Sequence, residues 1–240
     1  MTPSVETSVS VAMIVLALGA GVFGVRARRR GDLLMGLGVR GSVRDLATGV
    51  GLGTLAILVI EGVFLLLDVI EVRAVRPEAE TVLGGLIVLL ALAAYEELLF
   101  RVLLIAGIRA LTGSTRWAVV VAVAVTLANH AFTDGVTALS LISAGLGGLT
   151  YTVAYVMSGR WWLPLGLHVA WNVVQGPVLG LPVSGTIVGP GPVLAQHTVG
   201  PDWLTGGAYG AEGGVVAITV RLVLLAGVVL ICRRRAPQRW

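Results

Sequence analysis

The chain has 240 residues, of which 56% are hydrophobic and only 12% charged, and its mean hydropathy is +0.93. A water-soluble domain could not cover itself with polar groups on that composition, and a disordered chain needs the opposite balance. The net charge of +4 comes from seventeen Arg and no Lys, but these cluster at the ends of apolar runs, which is membrane topology and not a face for reading nucleic acid.

An all-α, polytopic bundle of transmembrane helices is what remains, and apolar runs of about 20 residues divide it into about seven spans. The first covers residues 8–25; with Glu6 before it and no small-residue cleavage site after it, it reads as a retained anchor rather than a signal peptide. The second covers 46–67 and contains Glu61. The third, 81–108, carries Glu96, Glu97 and Arg101. The fourth and fifth cover 117–132 and 136–157. The sixth, 161–174, is short and has Pro164 near its start, and the seventh, 215–232, contains Arg221. Between 176 and 214 lies a Gly/Pro-rich stretch that reads either as a re-entrant or interfacial lid or as a plain external loop. His197 sits in it as a solvated side chain without partners.

With these spans, thirteen Arg fall on one side: the six from Arg26 to Arg44, then Arg109, Arg116, Arg160 and the four from Arg233 to Arg239. The positive-inside rule puts that side in the cytoplasm, with the N-terminus out and the C-terminus in. The single Cys, Cys232, cannot form an internal disulfide and reads as an inert membrane-helix residue. The expected organisation is two N-terminal helices in 1–80, a core of four helices in 81–175, and the loop with a final helix in 176–240.

Ionisable residues inside a bilayer are functional candidates by default. Residues 95–101 read Tyr-Glu-Glu-Leu-Leu-Phe-Arg. Glu97 and Arg101 are four apart, share a helix face and can pair, which leaves Glu96 over. A spare carboxylate suits proton uptake during a reaction. In the sixth span His168 and Asn172 are again four apart, and imidazole and amide on one face suit a developing oxyanion. The fourth span ends in Ala-Asn-His, residues 128–130. Glu96 and His130 are each seventeen residues from Gly113 and so lie level on antiparallel helices. His168, eight residues past Arg160, lies less deep unless its turn sits within the membrane or its helix tilts.

Glu-Glu-x-x-x-Arg, a His 34 residues further on, and His-x-x-x-Asn another 38 on resemble the CPBP family, the CAAX-protease and bacteriocin-processing (Abi) intramembrane peptidases. The resemblance runs from Leu83 to about Gln175, and the Gly-rich run before Trp161-Trp162-Leu163-Pro164 strengthens it. One departure is Thr126, where the family usually has Phe four residues before the His. The resemblance implies hydrolysis of a peptide bond in the membrane. Glu96 would activate water, His130 would hold that water or a metal, His168 and Asn172 would stabilise the oxyanion, and Glu97 and Arg101 would support them. The family is named a metalloprotease: Glu96, His130 and His168 could bind zinc with an open position, and equally Glu96 could act with no cofactor. Eukaryotic members cut prenylated CAAX proteins. The Lys-free, Arg- and Ala-rich composition resembles that of a bacterial protein of the plasma membrane, whose partners would be peptide or membrane-protein substrates and the lipid bilayer, not nucleic acid. The competing readings are a catalytically inactive scaffold of the same fold, a proton-coupled carrier using Glu96, and a haem protein ligated by His130 and His168.

Overall fold

The computed structural model describes residues 36–74, 79–187 and 192–235. The expected span at 8–25 lies outside the described residues. Helix α1 is Ser42–Leu66, followed by strand β1, Ile70–Ala74. Helix α2, Ala79–Glu96, widens into a π-helical segment, Glu97–Leu103, and continues as α3, Leu104–Thr112. Then come α4, Thr115–His130, α5, Ala138–Ser158, and α6, Trp162–Val173, which runs into a second π-helical turn at Val174–Val178. Strand β2, Leu194–Thr198, the short helix α7, Asp202–Thr205, and two 3-10 turns lead to α8, Val215–Arg234.

Four described helices are long and apolar enough to cross a membrane: 42–66, 82–112, 138–158 and 215–234. This makes the protein a helical membrane protein, but the expected count of seven does not carry over. The fourth expected span is a helix of 16 residues and the sixth one of 12. Both are cut short by local chemistry. The chain turns out of α4 through Thr133, which caps the His130 carbonyl, and Gly135 in the left-handed region. A left-handed Gly159 precedes α6, and Pro177 stands in the π-helical turn after it. A small antiparallel β1–β2 ladder also interrupts the all-helical expectation, pairing Glu71 with His197. His197 is therefore partnered, with Nε2 3.3 Å from Glu71 Oε2.

The long helices present bare aliphatic side chains outwards, among them Leu55, Leu58, Ile87, Leu90, Leu222 and Val223. In water such faces would be unfavourable; against acyl chains they are the expected surface. Inside, α1 packs along α6. A Cβ on Gly53 would lie 2.6 Å from the Leu167 carbonyl oxygen, and one on Gly166 would lie 3.1 Å from Gly49 Cα. Glycines four residues apart thus let two backbones touch, as in small-residue membrane seams. This contact fixes α6, which carries His168 and Asn172.

At one end of the bundle, fully buried Asp45 gathers Arg160 at 2.6 Å and Arg235 at 3.0 Å, with the exposed Arg44 at 3.8 Å. The Trp161 N–H and Trp162 indole N–H donate to the Gly36 and Gly38 carbonyls there. The ladder and α7 lie at the opposite end of α1, where the Val199 N–H donates to the Val69 carbonyl. At that end Glu61 of α1 accepts from Gln196 of β2 at 2.6 Å.

Candidate active site

A cavity of about 190 Å³ is lined by Glu96, Arg101, His130, His168 and Asn172 together. Helices α2, α4, α5, α6 and α8, the π-helical segment and the stretch after Gly176 meet there. The depth mismatch of His168 resolves in the packing. Trp161 joins the same apolar cluster as Leu104, Ile105 and Ile108. The turn before α6 therefore sits inward of Gly113, beside α3, which lifts His168 to the level of Glu96.

Glu97 is fully buried beneath the cavity, 3.4 Å from Arg101 Nη1, and its Oε1 accepts from His168 Nδ1 at 2.9 Å. The π-helical segment begins at Glu97, and inserted π turns are frequent at functional sites. As a carboxylate Glu97 can only accept, so Nδ1 of His168 carries the proton and Nε2 faces Glu96 Oε2 at 3.9 Å. Tyr151 stacks on the imidazole with centroids 4.8 Å apart, and the Arg101 guanidinium lies 5.5 Å from the Tyr151 ring centre.

His130 is fixed by the same logic. Its Nδ1 lies 2.8 Å from the Thr126 carbonyl, which can only accept, leaving Nε2 as the free ring nitrogen. Thr126 packs against Gly148, where a Cβ would approach its Cγ2 to 2.8 Å. The small side chain thus lets α4 and α5 approach closely and leaves the carbonyl that orients His130 in place.

The expected site residues accordingly converge, but the cavity also has a wall that the spacing did not reveal. Glu212 Oε2 accepts from the Trp171 indole at 2.9 Å and from Arg221 Nη2 at 2.5 Å, while its Oε1 accepts from Ser184 N–H and Oγ–H at 2.7 and 2.8 Å. The Arg221 guanidinium stacks 4.1 Å from the Trp171 ring centre. Gly147 of α5 makes room for it, because a Cβ there would overlap Arg221 Nη1. Ser184, Tyr209 and Glu212 bring described parts of the stretch 176–214 into the cavity wall, so those parts are folded against the site and are not a plain external loop. Burial pushes the Tyr209 phenol up from its ordinary range, so it keeps its proton. Arg221 signalled this wall in advance: an arginine in an apolar span needs a carboxylate, and Glu212 lies nine residues before it.

Two guanidinium groups, Arg101 and Arg221, thus answer Glu97 and Glu212, and among the described residues no guanidinium pairs with Glu96, whose neighbour is His168. Among the described residues no three His, Cys, Asp or Glu side chains gather closely enough to hold a metal ion. Glu96, His130 and His168 line one cavity without closing into such a set.

Fold and cavity together define a polytopic helical membrane protein with a carboxylate–histidine site between its helices. Residues 78–174 match the family model described as Type II CAAX prenyl endopeptidase Rce1-like. The resemblance to the CAAX-protease family read from the motifs holds over that stretch. No curated protein and no solved structure matches the chain.

Proposed function

We propose that the protein is an intramembrane endopeptidase in which Glu96 activates water for attack on a peptide bond. The observation that carries this reading is the charge arrangement of the cavity: one carboxylate, Glu96, is paired with no guanidinium among the described residues and stands beside His168, His130 and Asn172. Water held by Glu96 and by the free Nε2 of His130 loses a proton to Glu96 as its oxygen attacks the carbonyl carbon. The carbonyl oxygen gains negative charge and accepts from the Asn172 amide. His168 donates to it from Nε2 when the ring carries both protons, and Glu97 holds the ring at Nδ1 throughout. Glu96 then returns the proton to the leaving amine, so the base of the first step is the acid of the second.

The match to a prenyl endopeptidase family model supports a peptide substrate presented at the membrane. On this reading 81–175 is the catalytic core, α4 and α6 complete the crossings, and the Arg-rich end at Asp45 faces the cytoplasm of a bacterial cell. Reporter insertions beside Arg160 and Gly200 should then report cytoplasm and exterior respectively; the reverse result would invert the topology.

The function is tested with purified protein and a quenched peptide carrying an S-farnesyl cysteine fourth from its C-terminus, beside its unprenylated counterpart. Glu96→Gln should lower turnover by about 10²–10⁴ while the protein accumulates normally. Equal hydrolysis by the variant would remove Glu96 from its role. Zinc addition and chelation on the same assay decide whether a metal takes part. Comparison of membrane and secreted peptides from wild-type and Glu96→Ala cells would then identify natural substrates.

A further inference from the structure

The Tyr209 hydroxyl has no part in this scheme. The side chain is 1% exposed, it lines the same cavity, and its oxygen is buried without a hydrogen bond. Ser184 and Thr133 stand beside it, but neither hydroxyl oxygen meets it in hydrogen-bond geometry, and their own protons go to Glu212 and to the His130 carbonyl. The residue is firmly seated. Its N–H donates to the Gly206 carbonyl at 3.1 Å, its own carbonyl accepts from Gly185 N–H at 2.9 Å, and a Cβ on Gly135 would approach its nitrogen to 2.6 Å. Native interiors keep few unpaired hydroxyls, because each one gives up its bonds to water for nothing. One that is held rigidly against a cavity is paired when the cavity fills.

The remaining lining says what fills it. Leu89, Leu92 and Val183 offer apolar contacts, which suit side chains, while the main chain of an extended peptide brings carbonyl groups that need donors. We infer that Tyr209 is a substrate-binding residue whose phenolic O–H donates to a main-chain carbonyl of the peptide next to the scissile bond, at the Thr133–Ser184 end of the cavity. This rests on the peptidase reading. It gives the stretch 176–214 a direct part in recognising substrate, beyond closing the site.

Tyr209→Phe in the full chain, purified in lipid nanodiscs and assayed on the farnesylated peptide and its unprenylated counterpart, tests the assignment. KM should rise about three- to tenfold, the range expected for one neutral hydrogen bond, with kcat changed less than about twofold. The melting temperature should stay the same or rise, because an unpaired hydroxyl has been removed. A purely structural hydroxyl would show the reverse, a lower melting temperature with KM unaltered, and that result overturns the inference. So does an unaltered KM at an unaltered melting temperature, and so does a fall in kcat alone, which would put the hydroxyl at the reacting atoms. Glu96→Gln, run in parallel, separates the two readings. If wild type cleaves neither peptide faster than Glu96→Gln, the peptidase reading fails and the inference falls with it. If only wild type cleaves, the Tyr209→Phe outcome bears on the tyrosine alone.

Discussion

The two walls of the cavity each rest on a buried ion pair, built on opposite plans. Glu97 and Arg101 belong to one helix, four residues apart, and the pair comes with the helical backbone. Glu212 and Arg221 come from a turn and the helix after it, and Glu212 also gathers Trp171 of α6 and Ser184 of the segment after Gly176. The first pair orients a histidine through a short local route. The second holds three separately folded segments together and is intact only while all three are in place. The difference teaches that one wall of this site is a property of a helix and the other a property of assembly.

Breaking the first wall should have the largest effect on stability. Glu97→Gln leaves Arg101, 1% exposed, without its counter-charge, and removing one partner of a buried pair typically costs about 3–5 kcal/mol. Poor yield and a lowered melting temperature should be the main symptoms. Replacing both partners, Glu97→Met with Arg101→Met, should recover much of that stability yet stay inactive, because His168 loses its Nδ1 acceptor. If the double variant were active, the pair would have no role in holding the histidine.

Breaking the second wall should cost less and read out elsewhere. Glu212→Gln keeps an oxygen for Ser184 or Trp171 but removes the charge facing Arg221, a loss of about 2–3 kcal/mol. Limited proteolysis should then open the stretch 176–214 while α1 to α6 stay resistant. Uniform susceptibility along the chain would show that this pair is as central as the first. Gly147→Ala attacks the same wall from α5 by displacing Arg221, with an expected loss of about 1–3 kcal/mol and the same proteolytic signature. The smallest effect should come from the ladder. Glu71 and His197 are half exposed, so His197→Ala should shift stability by less than about 0.5 kcal/mol, and a larger shift in melting temperature would mean that the ladder supports the wall at Glu212.

The same contrast explains what the sequence reveals. Glu97–Arg101 and His168–Asn172 are legible because helical spacing alone puts such residues on one face. Arg221 announces a buried carboxylate, but the convergence of Glu212, Trp171 and Tyr209 is not legible, because Glu212 and Tyr209 themselves sit in a Gly/Pro-rich stretch with no period to read. Among the described residues, the lengths of two expected spans are overestimated for a related reason. Hydropathy finds the apolar runs of α4 and α6, but the turns at Gly135 and Gly159 and the break at Pro177 fix how far each helix extends. The level of His168 depends on where the Trp161 turn packs against α3, which residue counting from Arg160 does not report.

Asp45 bears on how the chain is made. It lies near the start of α1, Arg160 lies at the turn before α6, and Arg235 follows α8. During synthesis the carboxylate enters the membrane boundary long before either arginine exists, and Arg235 is translated 190 positions after it. Until Arg160 is made, Asp45 has only the exposed Arg44 beside it, and its full set of partners waits for Arg235. Sealing of that end is therefore a late event in biogenesis, after the cavity residues of α2 to α6 have all been inserted.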